Sequence, residues 1–334
     1  MRDLTCLIRE YEPADRASAL DLVNRVFAAA FEIYEPKSAA WWAWKFEQCP
    51  SGHRSLVAED ADGKLVGFYG GLLLQVTAHG RPVHFAQSVD TVVDPAFRRG
   101  LKNPGLFVRL GQAYESTFAG PDRVAVMYGL PIAGAYRIGA RFIDYWMLRA
   151  QPAFVLRDDR RLPAVDAAFE TVETARFGAD SDALVARTFA AATCVARRDA
   201  EWLNWRFPAI ANDPYHRLEV RHRRSGELLA SVVWRSVFFL GREVLALVDA
   251  IAPAGESAAL AAALRQLLVL AKTQQRDLVT LAAPNSPLTA ELVQFGFRTE
   301  PTLYVMVGRP FHPDLEPGYL REHWHYTLAD LDVI

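Results

Sequence analysis

The sequence predicts a mixed α/β fold built as two similar domains in tandem, and three observations carry that prediction. The chain has 334 residues, which at roughly 100–200 residues per domain allows two. Its composition, 51% apolar and 23% charged, supplies full-sized cores and excludes disorder as the main state. The third observation is a repeat. Trp41-Trp42-Ala43-Trp44-Lys45-Phe46 is echoed by Trp202-Leu203-Asn204-Trp205-Arg206-Phe207, so Trp-x-x-Trp-(Lys/Arg)-Phe occurs twice, about half a chain apart.

The flanks of the two copies agree element by element. Before the first copy, Leu20, Val23, Phe27 and Phe31 recur at helical spacing after a Pro13-Ala14-Asp15 start. After it, residues 55–59 and 64–76 read as strands joined at Asp62-Gly63, a second hairpin turns at His79-Gly80-Arg81, and an apolar strand over 86–94 contains Asp90. A helix over 105–118 and a strand over 123–129, ending at Leu130-Pro131, complete this run. Before the second copy, Val185, Thr188, Phe189 and Ala192 follow Asp180-Ser181 at helical spacing. Strands over 217–222 and 227–235 meet at Ser225-Gly226, the next turn is Leu240-Gly241-Arg242, and a strand over 244–252 contains Asp249. A helix over 257–271 and a strand over 277–282, ending at Ala283-Pro284, follow. Each half therefore reads strand, helix, three antiparallel strands, helix, strand, helix, strand. The charged stretch Arg157-Asp158-Asp159-Arg160-Arg161-Leu162-Pro163 reads as the linker. This gives a first domain at 1–155, a linker at 156–164 and a second domain at 165–334.

Composition also narrows the function. The net charge of −2 lacks the basic excess of a protein held by nucleic-acid phosphates. No stretch approaches the roughly 20 apolar residues of a membrane span, and the charged start Met-Arg-Asp-Leu-Thr-Cys-Leu-Ile-Arg-Glu is unlike a secretory signal. Cys6, Cys49 and Cys194 are too few and too scattered for a disulfide framework or a zinc ribbon. A cytoplasmic protein without a metal is expected. His323-Trp324-His325 puts two imidazoles on one strand face, but no third ligand accompanies them.

At this point the chain resembles the GNAT acetyltransferase superfamily in a tandem arrangement. Val93-Asp94-Pro95-Ala96-Phe97-Arg98-Arg99-Gly100 resembles the end of that family's fourth strand, and Ala283-Pro284-Asn285-Ser286 with Phe295-Gly296-Phe297 resembles the segment after its fifth. The resemblance implies an acyl-CoA donor, acetyl-CoA or a longer acyl-CoA. It also implies main-chain pairing of Val92 and Val93 with the pantetheine arm and an N–H there for the oxyanion.

The phosphate turn can be read from the residues themselves. A diphosphate needs several N–H donors, and the first turn of a helix has unpaired ones. Asn103 reads as the N-cap and Pro104 as the first helical residue, so Gly105, Leu106 and Phe107 present their amides. Gly100 and Gly105 allow close approach, while Arg98, Arg99 and Lys102 add positive charge. The turn departs from the family signature (Gln/Arg)-x-x-Gly-x-(Gly/Ala), with Lys102 and Phe107 at the defining ends. In the second half the corresponding Ala254-Gly255-Glu256-Ser257-Ala258 has no basic residue, and Glu256 repels a diphosphate. The second domain is therefore expected to lack a coenzyme site.

Acyl transfer to a primary amine requires removal of a proton from a group whose pKa lies near 10. Asp90, on the presumed fourth strand with Ser88 and Val92 on the same face, is the candidate base. By the resemblance, the general-acid tyrosine position falls on Gly139; of the nearby tyrosines, Tyr136 one turn earlier and Tyr128 on the preceding strand, Tyr136 is the candidate acid. The expected function is an N-acyltransferase acting on a small-molecule amine; amino sugars, amino acids, polyamines and peptides are all compatible. Alternatives are a non-catalytic acyl-CoA-binding or regulatory protein and an acyl-carrier-protein-dependent N-acyl amino acid synthase. An aminoacyl-tRNA-dependent peptidyl transferase is disfavoured by the near-zero charge.

Overall fold

The computed structural model describes residues 6–32, 34–98, 105–131, 133–208 and 215–333. The first half contains β1 (Leu7–Glu10), α1 (Arg16–Ala30), the one-turn α2 (Ala39–Trp42) with its π-helical continuation Ala43–Glu47, β2 (His53–Glu59), β3 (Leu65–Ala78) and β4 (Arg81–Val93). It continues with α3 (Leu106–Phe118), β5 (Val124–Gly129), α4 (Ala133–Phe142), β6 (Trp146–Ala150) and β7 (Ala153–Leu156). The second half contains β8 (Phe169–Glu173), α5 (Ala179–Thr188), β9 (Cys194–Ala196), α6 (Ala200–Arg206), β10 (His216–His222), β11 (Leu228–Phe239) and β12 (Arg242–Ile251). Then come α7 (Ser257–Thr273), β13 (Asp277–Thr280), α8 (Pro287–Gln294), β14 (Arg298–Glu300), β15 (Val305–Pro310), α9 (Pro317–His323) and β16 (Trp324–His325). The mixed α/β class and the repeated element order are those the sequence predicts.

The duplication extends to local geometry. The Trp41 and Trp44 rings lie 6.4 Å apart at 59°, and the Trp202 and Trp205 rings 6.2 Å apart at 59°. The two matched hairpin turns share left-handed pairs, His79-Gly80 at φ 48° and 73° and Leu240-Gly241 at φ 54° and 78°. Two consecutive positive φ angles are the geometry that matches the twist of a two-residue hairpin, and glycine supplies the second without a steric cost.

The compact units do not follow the expected boundaries. One unit is Met1–Val76, Pro82–Arg149 and Val305–Gly318; the other is Thr77–Arg81, Ala150–Tyr304 and Tyr319–Ile334. The first sheet runs β1-β2-β3-β4-β5-β15-β6 and the second β14-β7-β13-β12-β11-β10-β8. The first sheet also carries β9 and β16, with β9 pairing β3, and β7 and β15 each lie in the sheet built mainly from the other half. Residues 153–155, placed in the first domain by sequence, and Leu156, placed in the linker, pair with β13 and β14, and β15 pairs with β5. Part of the expected linker is packed structure: Leu162 is buried in the second unit's core, and Arg265 holds Asp159 at 2.7 Å.

Each unit has its own core. In the first, α3 lays Leu106, Leu110, Tyr114 and Phe118 against Tyr69, Leu73 and Met127, the one-sided stripe expected at 3.6-residue spacing. In the second, the alanine- and leucine-rich α7 packs Leu260, Leu264, Leu267 and Ala271 on Leu218, Val232 and Leu245.

Candidate active site

In the first unit, β4 and β5 run parallel, and their ladder ends at Gln87↔Tyr128. Strand β4 continues to Val93 while β5 stops at Gly129, so the strands part beyond Gln87. A parting of this kind leaves main-chain N–H and C=O groups of β4 facing a gap rather than a neighbouring strand. Val92 and Val93 lie on this stretch, buried at 3% and 6% exposure.

Asp90 sits in the middle of that stretch at φ 47°. A non-glycine residue in the left-handed region is unusual inside a strand, though aspartate and asparagine tolerate it best. The kink turns the side chain. Ser88 bonds Tyr69, which belongs to the α3 core. Asp90 instead accepts from Lys45 Nζ at 2.6 Å, and both side chains of this pair are buried. Lys45 lies in the π-helical turn, whose Phe46 packs on Phe68, the neighbour of Tyr69 on the opposite strand face. The expectation that Asp90 shares a face with Ser88 is therefore corrected: the bulge reverses the alternation between them. Asp90 is also not a vacant carboxylate, because a buried ammonium holds it.

The phosphate turn is only partly described. Arg99, Gly100, Lys102 and Asn103 lie outside the described residues. Helix α3 starts at Leu106 with Gly105 as its N-cap, later than the start expected from Asn103 and Pro104. The amides of Leu106, Phe107 and Val108 are therefore the first-turn donors. Arg98 is held by its Nε bond to Val93 O at 3.0 Å. Asp94 caps the short helix Pro95–Phe97 through Ala96 N and pairs with Arg25 at 2.7 Å. Burial opposes its charge, but the Arg25 bond and that amide outweigh it and hold its pKa below the ordinary value.

Tyr136 lies on α4, but among the described residues no hydrogen bond joins it to Asp90 or Ser88. Sequence reasoning missed Tyr145. Its ring packs on Gly139, where a Cβ would come within 2.3 Å of ring carbon Cδ2. Its hydroxyl lies 2.9 Å from that of Tyr69, which lies 2.8 Å from Ser88 Oγ. Burial raises the pKa of both phenols, Tyr69 strongly, so they remain protonated hydrogen-bonding groups.

On the other side of β4, Trp42 is fully buried, whereas Trp41 is half-buried. The ammonium groups of Lys37 and Lys45 stand 4.9 and 4.7 Å from the Trp41 ring centre. Of these two tryptophans, Trp41 is the accessible one.

The second unit has the same parted strands, with different contents. The β12–β13 ladder ends at Ala246↔Val279. Beyond it, Ala282 bridges to Thr327, Ala283 N donates to Tyr326 O at 2.9 Å, and the Thr327 hydroxyl donates to Asp249 at 2.8 Å. The chain's own segment 326–330 thus occupies the gap. Asp249 is further held by Arg198 Nε at 3.0 Å, and Arg198 also binds Asp330. Asp249 lies eight residues past its turn glycine, level with Ser88 rather than Asp90. Glu256 is the N-cap of α7, and the half-buried Glu291, with its pKa raised by burial, bonds Ser257 beside it.

Among the described residues no cluster of three or more His, Cys, Asp or Glu could hold a metal, and no helix is long and apolar enough to cross a membrane. Burial and the nearby Arg198 charge push the pKa of His325 down to about 3, and its neutral ring packs on Phe189 at 5.1 Å.

Comparison with known proteins agrees with this geometry. Residues 8–139 match the family described as an acetyltransferase (GNAT) domain. No curated protein matches the sequence significantly. A probable N-acyltransferase from Enterococcus faecalis superposes with a TM-score of 0.64 at 15% identity, over 95% of this chain and 75% of that one. A tandem GNAT protein from the clavulanic acid biosynthesis pathway gives 0.55 at 15%, over 92% and 99%. Saccharomyces cerevisiae N-myristoyltransferase with bound myristoyl-CoA gives 0.54 at 11%, over 92% and 85%. Residues 8–139 thus match an acetyltransferase (GNAT) domain by sequence, and the chain as a whole is similar in fold to tandem GNAT proteins.

Proposed function

We propose that the protein transfers an acyl group, acetyl in our reading, from acyl-CoA to the primary amine of a small molecule, in its first unit only. The observation that carries this reading is the open parting of β4 and β5, which ends beside the start of α3. An extended pantetheine arm suits the edge of β4 at Val92 and Val93, beyond its last pair with β5. The diphosphate suits the amides of Leu106 and Phe107 at the helix start, where the helix dipole favours an anion. Arg98, Arg99, Gly100, Lys102, Asn103 and Gly105 are the further residues we assign to coenzyme binding, and no metal takes part in this reading. The second unit's gap is filled by its own chain, and two carboxylates flank the start of α7. We assign it a structural role, with the cytoplasm as the compartment.

In this reading the acceptor ammonium gives a proton to Asp90, directly or through water. The neutral amine attacks the thioester carbonyl and forms the C–N bond, the added nitrogen loses its second proton to solvent, and the C–S bond breaks. The thiolate leaves and takes up a proton, from Tyr136 or from solvent. Lys45 keeps the Asp90 carboxylate in place. It also competes with the substrate for that carboxylate, and this favours a binding or regulatory protein as the second reading.

Titration of acetyl-CoA into loop variants tests the coenzyme site. Gly105→Val crowds the helix start, and Arg98→Ala with Arg99→Ala removes two charges. Each variant should weaken binding by about 3- to 10-fold while the circular-dichroism spectrum stays native. The arginine effect should shrink in high salt. Wild-type affinity in both folded variants would remove the turn from the site.

A further inference from the structure

At the foot of the parting between β4 and β5 lies a cluster of hydroxyl groups. Ser88 is the first residue of β4 past the last pair with β5. Its side chain, with those of Tyr69 and Tyr145, forms one hydrogen-bonded cluster in which the Tyr69 hydroxyl lies 2.8 Å from Ser88 and 2.9 Å from Tyr145. The cluster has little room to retreat. Tyr69 packs on Tyr114 with ring centres 4.9 Å apart. Behind Tyr145 lies Gly139, where even one added carbon would overlap the ring. From Val93 back to Ser88 the strand spans roughly 17 Å, about the reach of an extended pantetheine arm. If the phosphates sit at the start of α3, the acyl group arrives at this floor.

We infer that Ser88, Tyr69 and Tyr145 set the acyl-chain length and limit the donor to acetyl-sized groups. The inference rests on the coenzyme site proposed above. A longer alkyl chain would have to push a packed tyrosine ring aside and strip hydroxyls of their partners, and both are unfavourable in a dense interior. The sequence contributes through Gly139: only glycine there leaves space for the Tyr145 ring. Tyr69 and Tyr145 thus act as positioning residues that shape the site, and Ser88 is the member next to the acyl group.

The test is calorimetric binding of free CoA, acetyl-CoA and hexanoyl-CoA to the full chain. Wild type should bind acetyl-CoA at least about tenfold more tightly than hexanoyl-CoA. Tyr145→Ala, which removes the ring, should narrow that ratio at least about fivefold, while Tyr145→Phe, which keeps it, should preserve it. Tyr145→Leu, which keeps apolar cover over Gly139, serves if the alanine variant does not fold. Equal wild-type affinity for the two acyl-CoAs, or a ratio unmoved in the folded ring-removal variant, overturns the inference and leaves the proposed function standing. Failure of free CoA to bind overturns both.

Discussion

Asp90→Asn should lower acyl transfer by about 10²- to 10⁴-fold, the usual contribution of a positioned base, and leave acetyl-CoA affinity within about twofold. Asparagine is the informative substitution for two structural reasons. It tolerates the left-handed φ of 47° at this position, and its amide oxygen can still accept from Lys45 Nζ. Alanine would leave a buried ammonium without its carboxylate, and stability would fall with activity. The measurement is turnover by wild type and variant with any amine that the wild type acylates, beside a binding titration. Full activity in the variant would show that Asp90 serves only to hold Lys45, and a different base would be required. Loss of binding together with turnover would place the carboxylate in coenzyme recognition.

Arg198→Met should cost about 3–5 kcal/mol of unfolding free energy, the cost of removing one partner from a buried ionic network. Arg198 is 1% exposed and bonds Asp249, Asp330 and the Thr327 hydroxyl. Without it, two carboxylates with almost no solvent contact face each other. Burial already raises the pKa of Asp330 against the opposing pull of Arg198, so the variant should recover part of the loss as pH falls and the carboxylates protonate. Adding Asp249→Asn and Asp330→Asn should restore most of it at neutral pH. Chemical denaturation of wild type, Arg198→Met and the triple variant measures this. A loss below about 1 kcal/mol in Arg198→Met would mean that the network does not hold segment 326–330 in the gap.

Much of the fold is legible in the sequence because the signals are local. The Trp-x-x-Trp-(Lys/Arg)-Phe segments and the glycine turns at Gly80 and Gly241 each report their own few residues, and their repetition reports the duplication. The strand exchange is not legible. Ala-Phe-Val-Leu at 153–156 is an apolar run that fits either sheet, and nothing within it selects β13 over β5. Asp90 is legible as a candidate, whereas its partner is not, because Lys45 lies 45 residues earlier and reaches it only through the bulge. The left-handed kink at Asp90 leaves no mark in a strand that reads as regular. Tyr145 escapes because the family pattern points to Gly139, and a glycine does not announce the ring that occupies its space. The helix start is read early because Asn103-Pro104 is a good local signal, yet α3 begins at Leu106.

The chain should carry one acyl-CoA site, in the first unit, with the second unit's gap filled by its own segment. Isothermal titration of acetyl-CoA into the full chain tests it most directly. One molecule should bind per chain, with that binding weakened by Gly105→Val and unchanged by Glu256→Gln in the second unit. Two equivalent sites per chain, or a single site that responds to Glu256→Gln and not to Gly105→Val, would contradict it.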